Sequence, residues 1–153
     1  MDTSLITVFI TLISTSGVLT LFLCGYAFLR RKEIEGGHLF VLYTAALVVY
    51  IFAVAFELPS DSLETVMRLV VLEYIGIGFA PPLSLLVILR YIGKTPPRRA
   101  VPLLFVIPSI TLVMVATNDM HHLFYKDIYF RDDTPLPLVD VSIGQWYIVQ
   151  GCY

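Results

Sequence analysis

The chain has 153 residues, 58% of them hydrophobic and only 14% charged, with a formal net charge of −2. A soluble domain carries about 25% charged residues, so this is the composition of a membrane protein. A small negative net charge also excludes a nucleic-acid partner bound through a basic surface.

Residues 5–29, from Leu5 to Leu29, form an apolar run without charge, long enough to cross a ~30 Å hydrocarbon core. A cleaved signal peptide needs a basic start and an apolar region of about 7–15 residues. Here the start is Met1-Asp2-Thr3-Ser4, and the run stops against Arg30-Arg31-Lys32. The reading is an uncleaved first span with its N terminus outside. Thr3, Thr7, Thr11 and Thr15 recur at every fourth residue, with Gly17 and Gly25 deeper. Such a stripe serves either a dimer face or packing inside one bundle.

A basic turn over 30–37 leads to a second span at about 39–57, closed by Glu57-Leu58-Pro59. Tyr43, Tyr50 and Glu57 are spaced by seven and fall roughly along one helix face, with Tyr50 near mid-span as a candidate buried hydroxyl. After the polar connection containing Pro59, Ser60, Asp61 and Ser62, a third span covers about 66–92. It is longer than a bilayer requires, so tilt or a bend is expected. Pro81 and Pro82 leave the carbonyls of Ile77 and Gly78 without their helical donors, which makes them candidate kink residues. In lipid such carbonyls need other partners. Glu73 lies two turns from Pro81 on nearly the same face. It is expected either to point inward, paired with Arg68 or an imidazole, or to reach the outer interface.

The turn from Arg90 to Arg99 is basic and stiffened by Pro96-Pro97. A fourth span is predicted over about 100–117, with Pro102 tolerated in its first turn and Pro108 bending it. Arg30, Arg31, Lys32, Arg90, Lys94, Arg98 and Arg99 flank the first and third turns, against Arg68, Lys126 and Arg131 on the other side. Seven against three places the first and third turns in the cytoplasm.

An external loop over about 118–145 carries Asp119, Asp127, Asp132, Asp133 and Asp140 together with Phe124, Tyr125, Tyr129 and Phe130. It suits an interfacial lid or short hairpin lying on the bundle. A fifth apolar run opens at Trp146 and covers 146–153, only ~12 Å of helix. The expectation is therefore an all-α, polytopic transmembrane helical bundle of four complete spans and the start of a fifth, and a chain that is a fragment. The two cysteines, Cys24 and Cys152, lie at opposite depths of these spans, too far apart for the ~7 Å Cα limit of a disulfide. Both read as small apolar fillers.

The stretch from Thr117 to Tyr125 packs an amide, an acid, two imidazoles and two aromatics into nine residues at the mouth of a span. Asn118, His121 and His122, with Glu73 and Tyr50, are the candidate ligand- or signal-sensing residues. Adjacent histidines on a helix point ~100° apart, and no known ligand spacing occurs around them, so no metal and no cofactor are expected. Proton sensing is one role for such histidines, and structural hydrogen bonding is the other. Asn118 has a plain alternative as the cap of a helix end or turn. No phosphate-binding glycine loop, nucleophile elbow or zinc-protease helix occurs, and the short cytoplasmic turns leave no room for a catalytic domain.

Several of these stretches, in order, resemble one family. They are Arg30-Arg31, Phe56-Glu57-Leu58, Glu73-Tyr74-Ile75-Gly76 with Pro81-Pro82, and Leu89 to Gly93. Most specific are Thr117-Asn118-x-x-His121-His122-Leu123-Phe124 and, after the loop, Gly144-x-Trp146-Tyr147. The chain is similar to the seven-helix membrane sensor region at the N terminus of many bacterial and archaeal histidine kinases. The resemblance implies a multi-pass signal-input module in a prokaryotic plasma membrane. It further implies a homodimer in the full-length kinase and a small-molecule or membrane signal of unknown nature. His121 and His122, expected outside, are not phosphoacceptors. Two other classes compete: a transport or channel component with Pro81, Pro82, Pro108, Tyr50 and Glu73 along a broken-helix path, and an orphan structural membrane protein. No inverted repeat supports the first.

Overall fold

A computed structural model describes residues 3–60, 62–130 and 139–153. Readings that rest on Met1, Asp2, Asp61, Arg131, Asp132 and Asp133 lie outside the described residues. So do those on the side chains of Thr3, Leu5, Tyr129, Phe130 and Asp140. The elements are α1 (Thr3–Arg30), α2 (Gly37–Glu57), α3 (Leu63–Tyr91), α4 (Ala100–Leu104), α5 (Val106–Ala116) and α6 (Asn118–His121), then β1 (Tyr125–Phe130), β2 (Val139–Ile143) and α7 (Gln145–Cys152).

Three helices, α1, α2 and α3, are long and apolar enough to cross a membrane. Their ends are set by the sequence. α1 stops at the run of basic residues, and the chain re-enters through Gly36, whose φ of 80° is a left-handed conformation that glycine adopts at little cost. α2 ends one residue before Leu58-Pro59.

α2 packs against α1 on one side and α3 on the other, while α3 also carries α5, and α5 carries α7. Small residues permit the close approaches. Thr44, Ala46, Ala53 and Ala55 of α2 are buried, and Gly76 of α3 lies directly on α2. A Cβ at Gly76 would meet the Cβ of Tyr50 at 2.4 Å and the carbonyl of Ala46 at 2.7 Å. Gly17 of α1 packs in the same way against Ile51 and Phe52 of α2, whereas a Cβ at Gly25 would meet nothing within 4 Å. Cys24 does act as a filler, its thiol 3.8 Å from the Val41 carbonyl, and neither cysteine is in a disulfide. Along the threonine stripe, Thr11 and Thr15 donate to the carbonyls four residues back, Thr7 and Thr11. Their hydroxyls thus need no partner from another helix.

Two expectations require correction. The fourth span is not one helix. It divides at Phe105 into α4 and α5, three residues before Pro108, where a bend was expected. The cause is the missing amide hydrogen of Pro108: the carbonyl it would have bonded, four residues back, is that of Leu104. That carbonyl instead accepts from the Tyr153 hydroxyl on α7. By contrast, α3 runs unbroken through Pro81 and Pro82. Its Gly78 backbone lies against Pro108, at a distance where a Cβ would be in ordinary contact, 3.5 Å. The second correction is to the all-α class. Tyr125–Phe130 and Val139–Ile143 pair as an antiparallel two-stranded sheet, Tyr125 opposite Ile143 and Phe130 opposite Val139, with an irregularity between Tyr125 and Ile128. Of the two forms expected for this loop, interfacial lid or short hairpin, the pairing shows the hairpin.

The α2–α3 contact gives a direct test. Gly76→Ala is expected to destabilise the protein by about 1–3 kcal/mol, the usual effect of overpacking. Gly25→Ala, which meets open space, is expected to be neutral or to stabilise slightly. Thermal unfolding of the two variants in detergent checks both.

Candidate functional site

The elements that follow α5 fold back over the N-terminal end of α3. Phe124 is the centre of this arrangement and is wholly buried. Val66, Val70 and Tyr74 of α3, Val115 of α5 and Tyr125 complete its core cluster. The ring of Phe124 stands edge-on to Tyr74 (4.9 Å between centroids), to Tyr125 (4.8 Å) and to Tyr147 (5.6 Å), geometries that aromatic quadrupoles favour. The Tyr74 and Tyr125 hydroxyls lie 3.3 Å apart. Burial, with the Tyr74 phenol next in effect, pushes the Tyr125 phenol up.

Asn118 holds the turn that delivers Phe124. Its Oδ1 accepts from the amides of Phe124 (3.0 Å) and Tyr125 (2.9 Å), and its Nδ2 donates to the Tyr125 carbonyl at 2.9 Å. Asn118 is itself buried, so these three bonds satisfy backbone groups that water does not reach. Of the two plain sequence alternatives, cap of a helix end or of a turn, its side chain takes the turn. It clamps a segment six and seven residues ahead.

His121 is engaged at both ring nitrogens. Nδ1 accepts from the Leu123 amide at 3.0 Å, and Nε2 lies 3.1 Å from the Thr117 hydroxyl. That hydroxyl donates to the Val113 carbonyl at 2.7 Å, so Nε2 carries the proton and donates to it. His122 ends α6 in the left-handed region, φ 51°, with its side chain exposed. The two imidazoles therefore do not converge. Among the described residues no group of His, Cys, Asp and Glu could hold a metal ion.

Glu73 lies beneath this roof. The expected partner is elsewhere: Arg68 pairs with Glu64 at 2.5 Å, both well exposed. The group that acts on Glu73 is another carboxyl, that of Glu57 from the end of α2. Glu73 Oε1 is buried and has no hydrogen-bond partner among the described residues. Glu73 also acts electrostatically on Tyr74 and Tyr125. Tyr50, by contrast, packs its Cβ on Gly76 and is half-buried farther down the α2–α3 contact. The structure thus gathers Asn118, His121 and Glu73 around one end of α3, and leaves Tyr50 and His122 apart from them.

Sequence reasoning missed three participants. Glu57 was noticed as the end of a polar seam but not as the neighbour of Glu73. Gly144 is required by proximity: a Cβ there would meet the Leu123 carbonyl at 2.0 Å. Its amide donates to the Phe124 carbonyl at 2.7 Å, and the Trp146 amide donates to the Leu123 carbonyl at 3.1 Å. Thr111 is buried between α5 and α7. It accepts from the Trp146 indole at 3.0 Å and donates to Gln150 Oε1 at 2.6 Å. The four-residue spacing of Trp146 and Gln150 puts both on one helix face, a signal that was available.

Asn118→Ala is expected to cost about 2–4 kcal/mol, because it leaves buried amides of Phe124 and Tyr125 unsatisfied. His122→Gly, which removes only an exposed ring from a left-handed position, is expected to change stability by under about 0.5 kcal/mol. Denaturant titration in detergent micelles distinguishes the two.

Residues 12–153 match the family described as the N-terminal 7TM region of histidine kinase. No curated protein and no solved structure matches the chain. The match covers nearly the whole chain, including the Asn118 clamp and the Gly144-x-Trp146-Tyr147 opening of α7. The chain belongs to the N-terminal seven-transmembrane region of histidine kinases, a membrane sensor-input region.

Proposed function

We propose that this chain perceives an extracellular or membrane stimulus at the outer end of α3 and relays it by movement of its helices. The family match over residues 12–153 carries the reading. Supporting it is the buried, unpartnered Oε1 of Glu73 beside the Glu57 carboxyl and under the roof that Asn118 clamps. A ligand or a change of membrane state that supplies a donor to Glu73 binds one arrangement of α2, α3 and the hairpin better than another. Such a difference in affinity is what shifts a conformational equilibrium. Asn118 and His121 serve this site by fixing the roof; their hydrogen-bonding groups face the chain itself. The full-length protein works as a homodimer in a prokaryotic plasma membrane, with an unidentified small molecule or membrane property as its signal.

The test uses the intact kinase with a transcriptional reporter of its output. Glu73→Gln, which turns an acceptor-only oxygen pair into a donor, is expected to shift basal output at least three-fold. Asn118→Ala and His121→Ala are expected to lose the response to stimulus, and His122→Ala to keep it. Wild-type signalling by both Glu73→Gln and His121→Ala removes the site assignment.

The N terminus lies outside, and α4 with α5 makes a fourth crossing despite its break. The support is the charge asymmetry, seven basic residues on the first and third turns against three opposite. In a chain whose two native cysteines are replaced by serine, Lys126→Cys is expected to react with an impermeant maleimide in intact cells. Glu35→Cys is expected to react only after the membrane is opened. The reverse pattern inverts the topology.

A further inference from the structure

α1 and α3 each pack on α2, and between their basic ends a cleft stays open. Its volume is about 420 Å³, and its apolar floor includes Leu23, Ala27, Phe40, Val87 and Ile88. One turn of a helix with its side chains, ~10 Å across and ~5.4 Å tall, already fills about that volume, so the cleft suits a slimmer occupant. Tyr26 and Tyr91 stand at its mouth and are largely exposed, the position of interfacial tyrosines.

Charge at the same end specifies the occupant further. Arg30 lines the cleft. The stem of Arg90 lies on the other side of the mouth, against Gly36: a Cβ on that glycine would meet Arg90 Cβ at 3.0 Å. The two turns at this end carry seven basic residues against Glu33 and Glu35. Glu33 pairs with Arg30 at 2.6 Å. Glu35 lines the mouth and is the one carboxylate there that opposes an anion. Among the described residues Lys32, Arg90, Lys94, Arg98 and Arg99 have no ion pair.

We propose that this cleft binds one anionic glycerophospholipid, its acyl chain along the apolar floor and its phosphate between Arg30 and Arg90. An apolar groove with Arg30 in its lining and the stem of Arg90 against Gly36 at its mouth is complementary to that molecule at both ends. Each buried methylene contributes about 0.8 kcal/mol, which a zwitterionic lipid shares. The arginines add the preference for a net negative headgroup, since guanidinium matches phosphate in fork geometry. A basic pocket between spanning helices is a recognised setting for such binding.

The experiment titrates the detergent-purified protein with phosphatidylglycerol or phosphatidylcholine and counts bound lipid by native mass spectrometry. Phosphatidylglycerol is expected to be retained at a concentration at least five-fold lower. Arg90→Gln is expected to reduce that preference below two-fold, and Arg90→Lys to keep part of it. Lys32→Gln, which removes the same charge from a residue outside the cleft, is expected to leave the preference intact. Ala27→Phe fills the floor without touching the charges and is expected to lower retention of both lipids. Equal retention of the two lipids by the wild type, the mark of non-selective annular lipid, overturns the proposal. So does an equal loss in Arg90→Gln and Lys32→Gln, the mark of diffuse electrostatics. Absence of lipid from the cleft when the same titration is run on the intact kinase overturns it in favour of a covering protein segment.

Discussion

The arrangement at the N-terminal end of α3 depends on how three buried backbone groups are satisfied. The amides of Phe124 and Tyr125 and the carbonyl of Tyr125 lie in the buried turn that leads into β1, and the Asn118 side chain bonds all three. An unmade hydrogen bond at such a site costs about as much as a good core contact contributes. Once the turn is fixed, Phe124 enters the cluster of Val66, Val70, Tyr74 and Val115. The carbonyls of Leu123 and Phe124 then face Gly144 and Trp146 and receive their amides. One asparagine therefore positions both the hairpin and the start of α7, and so the roof over Glu73.

The same accounting explains the broken helix. A proline does not leave an error at its own position but at the carbonyl four residues earlier. For Pro108 that is Leu104, which takes its hydrogen bond from Tyr153 while the helix parts at Phe105. The Thr111 hydroxyl, linking Trp146 and Gln150, adds a second polar tie between α5 and α7. Polar groups are thus used here to fasten one helix to the next.

Much of this was legible in the sequence, and the limits are physical. The runs expected at 5–29, 39–57 and 66–92 correspond to α1, α2 and α3 within about three residues, because apolar runs bounded by basic or proline-bearing turns leave little freedom. The site stretch was found because it concentrates polar residues at the end of an apolar run. What Asn118 does there was not legible, since its partners are reached through a turn whose shape no local pattern announces. Glu73 was expected either to pair inward with Arg68 or an imidazole, as a carboxylate seeks a cation, or to reach the outer interface. Its neighbour is Glu57, brought in by the α2–α3 packing that Gly76 permits. The short hairpin was one of the two forms expected of the loop, and the alternation of Val139, Val141 and Ile143 around Asp140 and Ser142 is a further signal for its second strand.

The central claim is that the Asn118 clamp docks the outer turn onto α3 as firmly as the helices dock on one another. Amide hydrogen exchange at Phe124 and Tyr125, followed in lipid nanodiscs, tests it most directly. The account expects both amides to exchange as slowly as those of Val70 and Tyr74 in α3, and far more slowly than that of the exposed Lys126. Exchange of Phe124 and Tyr125 at the rate of Lys126 would mean that the turn is not held, and the site beneath it would have no roof.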